Sequence, residues 1–544
     1  MINALSTEDP ALYGTFLEAR RQAEGESHLV RASGCYPLCG RGDVNTYTIF
    51  AETNRLLLAP TGRVGCIVPS GIATDDTTKY FFQDLMETRS LASLYDFENR
   101  AGLFPAVDSR MKFCLLTLTG AQRPAMHGAE FVFFAHSTED LHDEQRRFTL
   151  AAEDLALLNP NTRTCPVFRC KHDAELTKAI YRRVPVLIEE GSREENPWGI
   201  RFSTMFHMAN DSSLFRIREQ LEASGWTLDG NVFSRGDERY LPLYEPRLFH
   251  QFDHRWAMYN GCDTRDLSPA EKDGSEVLAL PRYWVPADEI IIRLANKWCH
   301  SWLLGFRNIT NSTNERTIIC SHLPLTAIGH NALLLFFENR ASEASSYIGA
   351  NLNSFILDYC ARQKLMSASV NYFNLKQFPI LPPQIYTENA PWASKTILSD
   401  WLLPRVLELT YTAWDLAPFA KDCGYDGPPF RWDEERRFLL RCELDAAYFH
   451  LYGITRDDVD YVMETFPIVK REDEAQHGEY RTKRVILEMY DAMQRAIDTG
   501  EPYQSRFDLP PGPPANGLPS WQPGAPRLGN WPPHIHAPRS EQQG

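Results

Sequence analysis

The stretch Gly62-Arg63-Val64-Gly65-Cys66-Ile67-Val68-Pro69-Ser70 decides the fold. Its centre is short, almost wholly apolar and closed by turn residues at both ends. That pattern predicts a strand buried on both faces of a parallel sheet. Upstream, Tyr47, Phe50, Ala51, Leu57 and Leu58 recur at helical spacing between Val44 and Ala59, and Pro60-Thr61-Gly62 ends that helix. Downstream, Pro69-Ser70-Gly71 turns the chain into a second helix from Thr77 to Thr88, with Tyr80, Phe81, Leu85 and Met86 on its apolar side. Leu91 to Phe97 and Phe113 to Leu118 then read as strands, and Glu130 to Ala135 as a further one. Helix, strand, helix, strand, strand is part of a doubly wound α/β sheet and less than a whole one.

The rest of the chain is read around that block. Of 544 residues, 43% are hydrophobic and 23% charged, a globular composition that excludes a mainly disordered or fibrous chain. The length allows roughly three or four domains. No apolar run reaches the ~18 residues of a membrane span, and Met1 to Arg20 has no signal-peptide apolar core, so a cytoplasmic protein is expected. The 56 Lys and Arg against 71 Asp and Glu give a net charge of -15. This argues against a protein that coats nucleic acid non-specifically, but it leaves room for a local basic groove. The 12 cysteines are scattered without zinc-finger spacing, so reduced thiols and no metal are expected.

Residues 1–43 are polar, with one short helical pattern from Pro10 to Ala23. Residues 146–385 are mixed, with helices expected at Ala287 to Leu304 and Ser345 to Lys364. Residues 386–500 are helical in pattern. From 501 to 544 a quarter of the residues are Pro, which reads as a disordered or polyproline-type tail.

The motifs of residues 45–118 carry a resemblance. Gly62 to Ser70, Leu94-Tyr95-Asp96-Phe97-Glu98-Asn99, and Leu103-Phe104-Pro105-Ala106-Val107-Asp108-Ser109-Arg110-Met111-Lys112-Phe113-Cys114-Leu115-Leu116 resemble the C-terminal half of the catalytic domain of adenine-N6 DNA methyltransferases. The similarity is to the large enzymes of type IIG restriction–modification and BREX-type phage-defence systems. It continues through Asn159-Pro160-Asn161-Thr162-Arg163-Thr164-Cys165-Pro166, Asn371 to Pro379, Thr465 to Lys470 and Gly478 to Lys483. The resemblance implies the distal half of a class I S-adenosylmethionine-dependent methyltransferase sheet over 44–145. A mixed α+β target-recognition domain over 146–385, a helical C-terminal domain over 386–500 and a Pro-rich tail would follow.

Two motifs of that family are missing. Pro37-Leu38-Cys39-Gly40-Arg41-Gly42-Asp43 imitates the Gly-rich loop that holds S-adenosylmethionine, but the residues before it, Ala32 to Tyr36, do not form an apolar strand. Gly427-Pro428-Pro429-Phe430 imitates the catalytic Asn-Pro-Pro-aromatic loop, but Gly427 has no side-chain amide. Asn196-Pro197-Trp198 and Asn530-Trp531-Pro532-Pro533 also fail the pattern. The chain is therefore expected to begin just downstream of the catalytic loop and to contain no catalytic residue. Residues 1–43 would be the linker that follows that loop. S-adenosylmethionine would belong to the complete enzyme and would not bind this chain alone. The partners implied are double-stranded DNA and a separately encoded or lost N-terminal half.

By motif alignment, Phe104 would stack on the flipped adenine, since a base held outside the helix needs an aromatic face. Arg110 and Lys112 read either as phosphate contacts or as a solvated strand face. Asp96, Glu98 and Asn99 read as turn and capping groups. Arg163, Arg201, Arg307 and Arg316 are the candidate DNA readers, because Arg suits bidentate contact with guanine. The loop between Arg307 and Arg316 is dense in hydrogen-bonding side chains, yet an ordinary exposed polar loop would look the same. Two other readings stand beside the enzyme fragment. One is a non-catalytic DNA-binding specificity module, and the other is a truncated reading frame without activity.

Overall fold

The structure, a computed structural model, describes residues 2–42, 44–191, 195–338, 341–365, 368–507 and 534–538. The chain divides into two compact units, 1–179 and 180–544.

In the first unit, helices α1 (Ile2–Glu8), α2 (Pro10–Ala32) and α3 (Thr46–Leu56) precede strand β1 (Arg63–Pro69). There follow α4 (Gly71–Thr74), α5 (Lys79–Glu87), β2 (Leu91–Glu98), β3 (Lys112–Thr119), β4 (Ala129–Ala135), β5 (Phe148–Leu150) and α6 (Ala152–Leu158). The sheet order is β1-β3-β2-β4-β5. Strand β3 runs antiparallel to both β1 and β2, and β2 runs parallel to β4. Strands β1, β2 and β4 therefore point the same way, and their carboxyl ends share one edge of the sheet.

Helix α2 has no buried residue, so the expected short helix of the polar N-terminal region is longer than its apolar pattern and stands in solvent. The apolar residues of α5, Phe81, Phe82, Leu85 and Met86, are buried. So is one face of the sheet, where Leu116, Leu94 and Phe131 fall in register. The other face carries the row Ile67, Leu115, Tyr95, Val132. Val132 is buried there, but Tyr95 and Leu115 are only partly buried and Ile67 is 56% exposed. Strand β1 pairs only with β3 among the described residues. Its run was expected to be buried on both faces. Instead only Val68 is buried, because β1 is an edge strand with one face uncovered.

The second unit opens with strands β6 (Ile200–Ser203), β7 (Thr227–Asp229), β8 (Val232–Arg235), β9 (Glu238–Tyr244), β10 (Ala257–Asn260), β11 (Asp263–Asp266), β12 (Trp284–Pro286), β13 (Trp302–Arg307), β14 (Cys320–Pro324), β15 (Ala327–Ile328) and β16 (Ala332–Phe337). One sheet has the order β14-β13-β16-β6. A second has β12-β9-β8-β7, with β15 parallel to β9. A shared core of Phe206, Leu243, Tyr244, Val285, Leu303, Leu323 and Leu334 fills the space between them.

Helices Ala341–Leu352, Phe355–Arg362, Leu398–Thr410, Glu434–Leu451 and Arg481–Thr499 follow. Two expectations change here. The helix read from Ala287 to Leu304 stops at Leu294. Asn296 adopts a φ of 61°, and Trp302 to Arg307 becomes the all-but-buried strand β13. The helix read from Ser345 to Lys364 breaks at Ser354, whose hydroxyl caps the next helix by accepting from the Leu357 N–H at 3.4 Å.

The expectation of a disordered tail falls mostly on residues 508–533 and 539–544, outside the described residues, and the described pieces of the tail hold definite contacts. The Tyr503 N–H donates to the Trp392 carbonyl at 2.8 Å. Ile535 is 5% exposed, and its segment pairs with Phe430. Apolar and aromatic residues spaced through the prolines anchor these pieces.

Candidate functional site

The carboxyl ends of β1, β2 and β4 form the edge where loops in α/β sheets place functional groups. Asp96, fully buried on β2, ties the three strands together there. Its carboxylate accepts from the Ser70 hydroxyl at the end of β1 and from the Phe134 N–H, 3.0 Å away on β4. Burial raises its pKa, and the bonds from Ser70 and Phe134 oppose that shift. Phe134 holds a φ of 57°, a left-handed conformation that costs a non-glycine residue about 1–3 kcal/mol. The Asp96 bond, and Arg146 donating to the Phe134 carbonyl at 2.8 Å, fix it in place.

Next to this knot, Glu98 collects positive charge. Arg100 Nε lies 2.9 Å from its carboxylate, His136 Nε2 3.2 Å and Lys112 Nζ 3.4 Å. Burial pushes the Glu98 pKa up, but His136, Lys112 and Arg100 outweigh it and hold the carboxyl below its usual range. Lys112 Nζ also stands 4.9 Å from the centre of the Phe134 ring, and Arg169 lies over the same ring at 4.4 Å.

Phe104 lies in the connection between β2 and β3, at this edge. Its ring meets Phe113 edge-on, with centroids 4.9 Å apart and planes at 77°. Phe113 in turn stacks on Phe97 at 5.3 Å. Phe104 is 39% exposed and Phe113 is partly buried, so the two rings make an aromatic corner open to solvent. The sequence singled out Phe104 but gave Phe113 no role beyond its strand. Alternation alone cannot show that a strand's first aromatic residue lies at an open sheet edge.

The structure separates the other candidates. Arg110 stays at the same edge, its side chain 88% exposed and bidentate to Asp108 at 2.8 and 3.0 Å. That pairing holds the Asp108 carboxyl down to about 2. Arg163 pairs with Glu87 at 2.6 Å, at the end of α5 just before β2 begins. It therefore sits at the amino end of the strands, opposite Phe104. A cavity of about 250 Å³, lined by Leu85, Leu91, Met126 and Ala151, is also at that far end. It has no part in the aromatic corner.

In the second unit, Arg201 is half exposed, 3.6 Å from Glu338. Arg307 turns inward. Its Nε donates to the Phe249 carbonyl at 3.0 Å, and burial beside the charge of Arg247 brings its pKa down to about 10. Arg316 is sealed in the core. Its Nε binds Asp358 at 2.9 Å and its Nη2 donates to the Asn353 carbonyl at 2.6 Å. In this structure Arg307 and Arg316 both turn their guanidiniums onto protein acceptors, Phe249 for the one and Asp358 and Asn353 for the other. The loop between them bonds partly to itself, with Asn311 Oδ1 accepting from the Thr313 N–H at 3.0 Å, and partly to other segments, with Arg362 donating to the Asn314 and Glu315 carbonyls at 2.8 and 2.9 Å.

The two segments that imitate the family's cofactor and catalytic loops are taken up by bonds within the fold. The loop at Pro37 to Gly42 follows helix α2, not a strand. The Leu38 and Cys39 N–H groups are already bonded to Glu52, at 3.1 and 2.8 Å. The Gly427 to Phe430 segment is structural as well. Tyr411 and Tyr425 hydroxyls donate to the Gly427 and Pro428 carbonyls at 3.2 and 3.0 Å. Among the described residues no cluster of His, Cys, Asp and Glu could hold a metal ion, and no helix is long and apolar enough to cross a membrane.

No family model matches the sequence, and no curated protein matches it. Among the solved structures that are similar in part, two are restriction–modification proteins by their descriptions. One is described as the type IIL restriction-modification enzyme MmeI in complex with DNA. It has a TM-score of 0.39 and 10% identity over 78% of this chain and 52% of that one. The other is the type IIG restriction endonuclease BpuSI, with a TM-score of 0.26 and 13% identity over 77% of this chain and 50% of that one. This chain thus spans about half the length of the structures it matches.

Proposed function

We propose that this chain is the base-gripping and sequence-reading portion of a site-specific adenine-N6 DNA methyltransferase, acting in the cytoplasm within a restriction–modification or phage-defence system. The observation that carries the reading is the aromatic corner of Phe104 and Phe113. It offers a ring face to a flipped base at the carboxyl edge, beside a cluster containing Lys112, Arg100 and His136. The motif resemblance supports it too, since two of the stretches that carry it, Leu94–Asn99 and Leu103–Leu116, lie on the β2–β3 hairpin.

The whole enzyme would move a methyl group from S-adenosylmethionine to the adenine amino nitrogen. The residues of this chain would hold the extruded base and contact the duplex. Arg110 and Lys112 are suited to phosphate, and the second unit would read sequence from exposed side chains such as Arg201. The cofactor loop and the ligand of the amino group would be supplied by polypeptide beyond these 544 residues. The open edge of β1 and the uncovered face around Ile67 and Leu115 are where we place it.

Duplex binding by the purified chain, followed by fluorescence anisotropy across a salt series, tests this reading. Binding should weaken steeply with salt as phosphate contacts release counterions, and methylation should appear only when a polypeptide carrying an Asn-Pro-Pro-aromatic loop is added. Absence of duplex binding would sink the proposal, and methylation by the chain alone would overturn the division of labour.

The lack of a cofactor loop among the described residues favours one further reading, a DNA-binding specificity module without catalysis. It gives the same salt dependence and no methylation with any partner.

A further inference from the structure

The connection between β2 and β3 is held by one side chain. Asn99, 1% exposed, donates from Nδ2 to the Phe104 carbonyl at 2.9 Å and to the Val107 carbonyl at 2.8 Å, while its Oδ1 accepts from the Phe104 N–H at 2.9 Å. Its backbone closes the same loop from below. The Asn99 N–H donates to the Met111 carbonyl at 3.0 Å, and the Gly102 N–H donates to the Asn99 carbonyl at 2.9 Å. Gly102 turns the chain there at a φ of 71°, a conformation that glycine takes without a Cβ penalty.

A buried amide that satisfies both backbone groups of one residue fixes that residue's position and orientation together. Here the residue is Phe104, whose ring is thereby set against Phe113. An ordinary capping asparagine bonds to a backbone N–H two or three residues on. Asn99 instead reaches five and eight residues ahead, across the loop.

We infer that Asn99 is the positioning residue of the aromatic corner, presetting Phe104 for stacking on an extruded base without touching that base. The inference rests on the base-gripping reading above. It predicts that losing the amide uncouples base gripping from duplex binding.

The experiment compares the affinity of the full chain for two pools of random-sequence duplexes, one fully paired and one with a central adenine opposite an abasic site. The unpaired adenine is already free to leave the stack. Base–aromatic stacking then gives the wild-type chain a preference of about tenfold for the abasic pool. Asn99→Ala should bind the paired pool as well as wild type but lose most of that preference. Asn99→Asp is nearly isosteric and keeps the acceptor for the Phe104 N–H but lacks both donors. It should behave in the same way and serves if Asn99→Ala does not fold.

A variant that folds and keeps the preference overturns the inference, and so does an equal loss on both pools. A wild-type chain that shows no preference overturns the base-gripping reading itself. Phe104→Ala that keeps the preference places the stacking elsewhere and removes the role given to Asn99.

Discussion

The Arg316 guanidinium meets the Asp358 carboxylate at 2.9 Å, with the Arg316 side chain 7% exposed and that of Asp358 sealed from solvent. Arg362 binds the other oxygen of Asp358 at 3.0 Å, and Thr317 donates its N–H to the same carboxylate at 2.8 Å. Burial opposes the charge on Asp358, but the two guanidiniums hold its pKa below the usual range. Arg316 thus ties the segment before β14 to the helix Phe355–Arg362.

Arg316→Ala should therefore act on stability. Removing one partner of a buried pair costs about 3–5 kcal/mol. Urea denaturation should show that loss, while any folded protein keeps its duplex affinity. Reduced affinity with unchanged stability would return Arg316 to the DNA surface.

Asp445 lies in the same charged neighbourhood and responds to pH in the opposite sense to Asp358. It is fully buried, accepts the Phe355 N–H at 2.7 Å, and burial raises its pKa to about 6 despite the nearby charge of Arg316. Because the folded value lies above the unfolded one, its contribution to stability is full below about 3.8 and is lost as the pH rises through about 6. Asp445→Asn removes the buried charge and keeps the acceptor. It should stabilise the protein at pH 8 by on the order of 3 kcal/mol, and the gap to wild type should close as the pH falls below 6. Equal melting temperatures at pH 8 would contradict this.

The uncovered sheet face should make the isolated chain self-associate. Ile67 is 56% exposed on an open edge strand, and such edges pair with other chains. Ile67→Lys should reduce the light scattering of concentrated samples and change stability by under about 0.5 kcal/mol. Scattering that persists in the variant would place the sticky surface elsewhere.

Phe104→Ala should be mild for the fold. With the ring 39% exposed, its removal costs roughly 1 kcal/mol of burial. Phe113→Ala, deeper and stacked on Phe97, should cost about 3 kcal/mol. Thermal melts of the two variants side by side test the order, and a larger loss at Phe104 would contradict the geometry of the corner.

The strands at 63–69, 91–98, 112–119 and 129–135 were legible because their runs are short, apolar and bounded by turn residues. The helical pattern of residues 386–500, which includes the helix Glu434–Leu451, was equally plain. The error at Ala287 to Leu304 has a physical cause. Leu303, Leu304 and Phe306 are apolar in any environment, and only their pairing with Leu323, His322 and Cys320 on one side and Leu335 and Leu333 on the other makes them a strand. Guanidinium direction was not legible at all. Arg201, Arg307 and Arg316 are alike in sequence, and their separate fates depend on Phe249, Asp358 and Glu338, residues distant along the chain. Asn99 was read as a turn residue. It does belong to a turn, but its reach across the loop to Val107 is a tertiary fact that no local pattern encodes.

Asn99 binds main-chain atoms only, and this frees the side chains around it. Arg100, Ala101, Leu103 and Ala106 could change identity without altering the bonds that seat Phe104. The loop separates a constant frame from variable decoration, as an antibody scaffold does for its binding loops. Substitutions on the rim of the corner would then leave the seat of the Phe104 ring unchanged.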